Sequence, residues 1–226
     1  APADTSIAAV IAEQSTLDTS IESTSEAVTA EPNGFIELGL APELVQAVAD
    51  LGYTQPTSVQ LKAIPLAMGS DASKFIDLMV SSQTGSGKTA AFLLPVLHTL
   101  INQQAEAEAE ERAAFDRAVA EAAARGEPAP KRAKRKDPTS SRNFKAATPG
   151  ALILCPTREL AQQVAHDAID LVKHCRGLRV ANVVGGMPYQ LQIAKLQNAD
   201  LVVATPGRLL DLQRSMQIKL DKVQFL

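Results

Sequence analysis

The sequence predicts an α/β fold in which a mostly parallel sheet is covered by helices on both faces. Two observations support this prediction. Short apolar runs alternate with segments of helical character from about residue 75 onwards, and these runs are apolar at nearly every position. Strands buried on both faces have this composition, and they occur mainly in parallel sheets.

Four strands and the helices that follow them are predicted in chain order. The predicted strands are residues 75–80, 151–155, 179–184 and 201–204. The predicted helices start near Ala90, run from the turn at 156–158 to about His174 and over 188–197, and begin again at 205–208. Strand and helix therefore alternate throughout.

The composition favours a soluble globular protein of one large or two small domains. The 226 residues are 46% hydrophobic, which is enough to bury a core. No apolar run approaches the roughly 18 residues of a membrane span, so we expect no membrane partner. Cys155 and Cys175 lack metal-ligand spacing, and this predicts structural thiols in a reduced, cytoplasmic compartment.

The N-terminal segment differs in charge from the rest of the chain. Residues 1–34 contain six acidic and no basic residues, whereas the remainder has 22 basic and 19 acidic residues. The segment is rich in Ser, Thr, Ala and Glu and has no aromatic residue before position 35. It is predicted to be a disordered acidic tail, with a weak amphipathic helix as the alternative, and the folded body is predicted to be residues 35–226.

Residues 103–148 are predicted to form a surface insertion in this body. The first half is alanine-rich with Glu/Arg pairs four residues apart, which favours a helix as far as Gly126. The second half is a charged, proline-broken linker of a length that compact domains seldom need. Its basic cluster at 131–136 either adds nonspecific affinity for a polyanion or is an ordinary solvated run.

A turn rich in glycine and serine connects the first predicted strand to its helix. Gly85 and Gly87 allow backbone N–H groups to surround an anion, and the helix N-terminus adds partial positive charge. Lys88 is expected to reach the β and γ phosphates, and Thr89 to bind Mg²⁺. Ser82 stands where the generic pattern has its first glycine, and a flexible turn before a helix is the alternative. The predicted phosphate-binding residues are Ser82, Gln83, Thr84, Gly85, Ser86, Gly87, Lys88 and Thr89.

Three further turns follow the other predicted strands, and they have features that suit an oxygen-rich anion. Because the carboxyl ends of parallel strands share one edge of a sheet, we expect all four turns at this edge. Thr157 and Thr205 are predicted N-caps with an arginine close by, although ordinary helix capping explains each turn taken singly. The residues of these turns are Pro156, Thr157, Arg158, Glu159, Gly185, Gly186, Thr205, Pro206, Gly207 and Arg208.

The joint order of these elements resembles the DEAD-box RNA helicases. Residues 52–60 (Gly-Tyr-Thr-Gln-Pro-Thr-Ser-Val-Gln) are similar to the family's Q motif, and 82–89 to its motif I. Residues 156–161, 185–186 and 205–208 are similar to motif Ia, the GG motif and motif Ib. The resemblance covers about 35–226 and implies a RecA-like P-loop domain that binds ATP and RNA.

Recognition of adenine is also implied by the resemblance. A side-chain amide such as that of Gln60 can donate to adenine N7 and accept from its N6 amino group, which selects ATP over GTP. Tyr53 offers an aromatic face near the base. Phe35 resembles the family's upstream aromatic residue, and a core phenylalanine is the alternative. The turns similar to motif Ia, GG and Ib are implied to bind the sugar-phosphate backbone of RNA without reading sequence.

The motif that names the family is not within the 226 residues. It would follow residues 223–226, so we expect the chain to be truncated there and to contain no catalytic residue. We also expect a second RecA-like domain elsewhere in the complete protein, which would unwind RNA locally using ATP. Two alternatives stay open: an RNA clamp without productive turnover, and a P-loop ATPase that acts on DNA or protein.

Overall fold

The computed structural model describes residues 33–69, 76–134 and 141–226. Within these ranges it contains six α-helices, three β-strands and one short 3₁₀ turn. In chain order they are α1 (Pro42–Asp50), α2 (Ser58–Met68), α3 (Lys88–Ala124), the 3₁₀ turn (Ser141–Asn143), β1 (Ala151–Leu154), α4 (Arg158–Leu171), β2 (Val180–Val183), α5 (Tyr189–Leu196), β3 (Leu201–Ala204) and α6 (Pro206–Arg214).

The three strands form a parallel sheet in the order β1-β3-β2. Leu201 at the start of β3 is in register with Ala151 of β1 and with Val180 of β2. All four residues of β3 are buried, because alternate side chains point to cores on opposite faces of the sheet. The predicted α/β fold with a parallel sheet and helices on both faces is therefore confirmed.

Each face of the sheet has its own core. One core joins the sheet to helices α1, α2, α3 and α4, with Leu44, Ile64, Leu97 and Val164 among its buried side chains. The other joins the sheet to α5 and α6, with Leu196, Leu209 and Leu212 buried. Consequently α4 and the start of α3 lie on one side of the strands, and α5 and α6 lie on the other.

The strand predicted at 75–80 does not form within the residues that the structure describes. Residue 75 lies outside them, and residues 76–80 have no strand pairing and are exposed, with Met79 at 99%. A cavity of about 750 Å³ lies between Ile76 and the outer edge of β1. The only described residue paired with that edge is Phe225, whose carbonyl accepts from Leu152 at 2.9 Å. Residues 76–80 remain unpaired because no adjacent described strand satisfies their backbone groups.

Helix α3 is longer than predicted, because the helix after the glycine-serine turn and the first half of the insertion are one element. Its 37 residues span about 55 Å. At Gly126, with φ of 70°, the chain leaves the helix, and the Glu127 N–H donates to the Ala122 carbonyl at 2.9 Å. This closure is a Schellman-type C-terminus, for which glycine is favoured. The predicted end of the helix is thus confirmed.

The distal part of α3 and the chain that returns from it form a helical arm, which we define as residues 105–143. Residues 105–114 are exposed at every position, whereas Phe115 is half-buried with the Arg132 guanidinium 5.1 Å from its ring centroid. The arm is joined to the body at Gln104, which donates to the Arg176 carbonyl at 3.3 Å. Ala147 already pairs with Ile218, so it belongs to the body and not to the insertion.

The N-terminal part of the body is held by polar contacts. Asn33 accepts from the Phe35 N–H at 2.9 Å, so the described fold begins two residues before the predicted boundary. Asp50 at the end of α1 contacts Lys173 at 2.9 Å and His174 at 2.6 Å, and both partners lower the pKa of its carboxyl group. The predicted tail at 1–32 lies outside the described residues. Among the described helices, none combines the length and apolarity that crossing a bilayer requires.

We predict that the helical arm contributes little to the stability of the body. Replacing residues 106–143 by a short Gly/Ser linker should change the melting temperature by less than about 3 °C, because the arm is largely exposed. Replacing residues 100–147 is the matched control: it removes buried Leu100 and Ala147 and should lower the melting temperature by about 10 °C or more. An equal loss in both variants, measured by scanning calorimetry, would contradict the prediction.

Candidate nucleotide and nucleic-acid site

The turn before α3 has the backbone conformation of an anion cradle. Gly85 and Gly87 have φ of 79° and 85°, in the left-handed region that glycine adopts readily. Gly87 is the N-cap of α3, and the first N–H groups of a helix have no partner within it. The Ser86 hydroxyl is buried and has no hydrogen-bond partner among the described residues. These donors fit a nucleoside phosphate, which accepts several hydrogen bonds.

In this structure the side chain of Lys88 bonds to the turn itself. Its ammonium group donates to the carbonyl oxygens of Ser82 and Gln83, the latter at 2.6 Å. Both acceptors are neutral, whereas a phosphate oxygen is charged and accepts more strongly from an ammonium group. Lys88 can therefore exchange these carbonyls for a phosphate, with Thr89 next to it as the residue that would hold Mg²⁺.

Gln60 links helix α2 to the same turn. Its Oε1 accepts from the Thr57 N–H at 3.0 Å and its backbone N–H donates to Thr57 Oγ1 at 3.3 Å, which is a capping box. Its Nε2 donates to the Gly87 carbonyl at 3.2 Å, and the residue is 6% exposed. A side-chain amide has two N–H donors and two acceptor lone pairs, so one of each remains for a ligand.

The two predicted aromatic residues lie in different environments. Tyr53 is 59% exposed and offers its ring to solvent. Phe35 is 1% exposed and belongs to the main core, together with Leu44 and Ile64. The structure thus favours the core interpretation of Phe35, because a fully packed ring has no face left for a base.

Helix α3 connects the two edges of the sheet. Leu100 lies against Gly150, and Gln104 bonds to Arg176, so this part of the helix is at the amino ends of β1 and β2. From Lys88 to residue 100 the helix rises about 18 Å, whereas a four-residue strand spans about 13 Å. The turn at Lys88 therefore lies towards the carboxyl ends of the strands.

The turns after β1 and β2 touch each other at this carboxyl edge. Thr157 is the N-cap of α4, and its hydroxyl accepts from the Leu160 N–H at 3.3 Å. The next residue, Arg158, is exposed, and its Nη1 would be only 2.7 Å from a Cβ added to Gly186. Gly186 has φ of 83°, so a side chain there would be both strained and obstructed. The guanidinium group lies directly against this glycine backbone.

The turn after β3 is arranged differently. Thr205 is the N-cap of α6 without a side-chain bond, and Pro206 takes the first helical position. The Arg208 guanidinium lies 5.7 Å from the ring centroid of Tyr189 on α5. The remaining predicted residues of these turns are solvent-exposed: Pro156, Glu159, Gly185 and Gly207.

The two cysteine thiols do not contribute nucleophilic chemistry. Burial raises the pKa of Cys155, and burial together with Glu43 raises the pKa of Cys175 to about 11. Both thiols are therefore protonated at neutral pH.

Sequence comparison identifies the family. Residues 57–226 match the family model described as DEAD/DEAH box helicase. The chain belongs to this family. The match begins at Thr57, the capping residue, and includes the turn at Lys88 and all three turns of the sheet edge.

Curated helicases of this family resemble the chain over most of its length. The chain is 37% identical over 211 residues to DEAD-box ATP-dependent RNA helicase 52A of Oryza sativa subsp. japonica, covering 92% of the chain and 30% of the rice protein. It is 35% identical over 193 residues to ATP-dependent RNA helicase DeaD of Escherichia coli, covering 85% and 23%. The chain thus spans about a quarter to a third of these helicases.

Solved helicase structures share the RecA-like fold. A DEAD box protein from Methanococcus jannaschii is 29% identical with a TM-score of 0.58, over 85% of this chain and 40% of that one. Dbp5 of S. cerevisiae, solved bound to RNA and ADP BeF3, is 28% identical with a TM-score of 0.57, over 85% and 37%.

We predict that Gly87→Ala damages the turn more than Gly85→Ala does. Both glycines have positive φ and should lose about 1–2 kcal/mol to backbone strain. A Cβ at Gly87 would in addition overlap Gln60 Nε2, whereas one at Gly85 meets no atom within 4 Å. The melting temperature and the affinity for a fluorescent ATP analogue should both fall further for Gly87→Ala.

The cause of that difference can be tested by removing the obstructing amide. Adding Gln60→Ala to Gly87→Ala should recover part of the lost stability, while adding it to Gly85→Ala should only lower stability further. Equal effects of the two glycine variants, with no recovery, would show that the Gln60 contact is not the cause.

Proposed function

We propose that the chain is the ATP- and RNA-binding domain of an ATP-dependent RNA helicase. The contact between Arg158 and Gly186 carries this proposal, because it joins two anion-suited turns at the edge of the sheet towards which the Lys88 turn lies. A nucleotide at one turn and a chain of phosphates along the others would then be neighbours. ATP hydrolysis and local duplex unwinding are proposed for the complete protein, of which the curated relatives are three to four times longer.

ATP is proposed to bind through its phosphates at the turn of residues 82–89. The phosphates would take the place of the Ser82 and Gln83 carbonyls on Lys88 and would receive N–H donors from the start of α3. Mg²⁺ would be held by the Thr89 hydroxyl together with phosphate oxygens and water. When bound, it neutralises phosphate charge.

Gln60 and Tyr53 are proposed to recognise the adenine base. The remaining N–H and lone pair of Gln60 provide a donor and an acceptor for adenine N7 and N6. Tyr53 is exposed and can lie against the ring of the base. Phe35 is proposed to support this region from the core instead of touching the nucleotide.

RNA is proposed to bind along residues 156–159, 185–186 and 205–208 through its sugar-phosphate backbone. The exposed backbone N–H groups and the arginines of these turns suit phosphate, and such contacts carry no base information. We further propose a cytoplasmic location, from the absence of paired cysteines in the sequence.

We predict that Gln60→Ala in the complete protein abolishes the preference for ATP over GTP. The variant should still bind nucleotide, although more weakly, because Lys88 and the turn are unchanged and only the donor to the Gly87 carbonyl is lost. The dissociation constants of fluorescent ATP and GTP analogues should converge. Equal affinities in the unsubstituted protein would refute the assignment of Gln60 to adenine.

The RNA assignment is tested by the salt dependence of binding to single-stranded RNA. Arg158→Ala and Arg208→Ala should each weaken binding and reduce the salt slope by about 0.7, the value for one phosphate contact on a single strand. Arg142→Ala is the matched control, since this exposed arginine lies on the helical arm. Equal or tighter binding to DNA of the same sequence, with unchanged slopes, would favour a DNA-directed ATPase.

A further inference from the structure

Helix α5 contacts two of the three turns proposed to bind RNA, yet none of its residues has been assigned a role. Gln192 lies beneath the Gly185-Gly186 turn, and Tyr189 lies beside Arg208. The two residues are three positions apart, so they occupy the same side of one helical turn. Their positions suggest that one helix supports both turns.

Gln192 is bonded to the chain immediately before the glycine pair. It is 0% exposed, and its Nε2 donates to the carbonyl of Val184. Val184 directly precedes Gly185, so this bond fixes the point at which the turn leaves β2. Since Gly186 supports the Arg158 guanidinium, the bond also bears on the position of Arg158.

The stability of the fold does not account for a glutamine at this position. The Oε1 of Gln192 is buried and has no hydrogen-bond partner in the part of the chain that the structure describes. An unpaired buried acceptor opposes folding, and a methionine of similar shape would avoid that loss. The donation to the Val184 carbonyl is what distinguishes the glutamine from such a methionine.

Tyr189 holds Arg208 in a comparable way. The guanidinium lies over the ring, and the phenol group bonds to the hydroxyl of Ser215 at the C-cap of α6. The ring is thereby held between α5 and α6. A guanidinium stacked on a ring keeps its N–H groups free at its edges, where they can donate to phosphate.

We propose that Gln192 and Tyr189 are positioning residues for RNA binding: they hold the glycine turn and Arg208 in the arrangement that receives the RNA backbone. This inference rests on the proposed RNA-binding function. It assigns to α5 a task of orienting contacts without touching RNA or ATP.

The first test is Gln192→Met in the complete protein, with Gln197→Met as the control. Gln197 is also a buried glutamine and lies at the C-cap of the same helix. Gln192→Met should keep the melting temperature and the affinity for ATP without RNA, while the KM for a single-stranded oligouridylate in the ATPase assay rises about two- to tenfold, as expected for one hydrogen bond. The kcat at saturating RNA should be unchanged.

The second test is a double-mutant cycle between Tyr189 and Arg208, read out by the affinity for the same labelled oligouridylate. Tyr189→Leu should weaken binding about two- to fivefold, the range of an exposed cation–π contact. Tyr189→Phe keeps the ring and should retain most of the affinity. The double variant Tyr189→Leu/Arg208→Ala should bind no more weakly than Arg208→Ala alone, because the ring acts through the arginine.

The outcomes separate this inference from the function on which it rests. If the unsubstituted protein does not bind RNA, the proposed function is wrong and the inference falls with it. If Arg158→Ala and Arg208→Ala weaken RNA binding but Gln192→Met and Tyr189→Leu do not, the positioning role alone is wrong. Independent, multiplicative losses in the cycle would likewise overturn the role of Tyr189, and equal losses of melting temperature and RNA affinity in Gln192→Met would show a merely structural residue.

Discussion

The parallel pairing of β3 with β1 and β2 is the constraint on which the rest of the molecule depends. It brings the residues after Leu154, Val183 and Ala204 to one edge of the sheet, whatever their separation along the chain. The buried side chains of β3 then secure a helix layer on each face. Because α3 runs from this edge to the opposite one, the same packing that stabilises the core also places the Lys88 turn near the strand ends.

The sequence was a good guide where burial is local and uniform. Residues 201–204 were predicted with the observed bounds, since a run buried on both faces is apolar throughout, and the strands near 151 and 180 were located to within one residue at each end. Residues 75–80 have the same apolar character but form no strand in the described chain. Strand formation requires a partner, and apolar composition alone does not reveal whether one lies alongside.

The site was predictable to a similar extent and for similar reasons. Glycine, lysine and threonine in the turn before α3 have short-range signatures, and the Thr57–Gln60 pair has the pattern of a capping box, which was a missed signal for its link to Gly87. Gln192 and Tyr189 gave no such signal, because a glutamine or tyrosine on a helix is usually a surface residue. Only packing shows that one is fully buried and the other stacked against an arginine.

The unbroken course of α3 makes it a mechanical lever. Its first residue is the lysine of the phosphate-binding turn, and its last twenty residues project beyond Gln104 for about 30 Å. A tilt of about five degrees at the pivot, too small to disturb the core noticeably, would sweep the far tip through about 2–3 Å. Occupancy of the turn is thus geometrically linked to a distant point in solvent, through a single rod without a hinge.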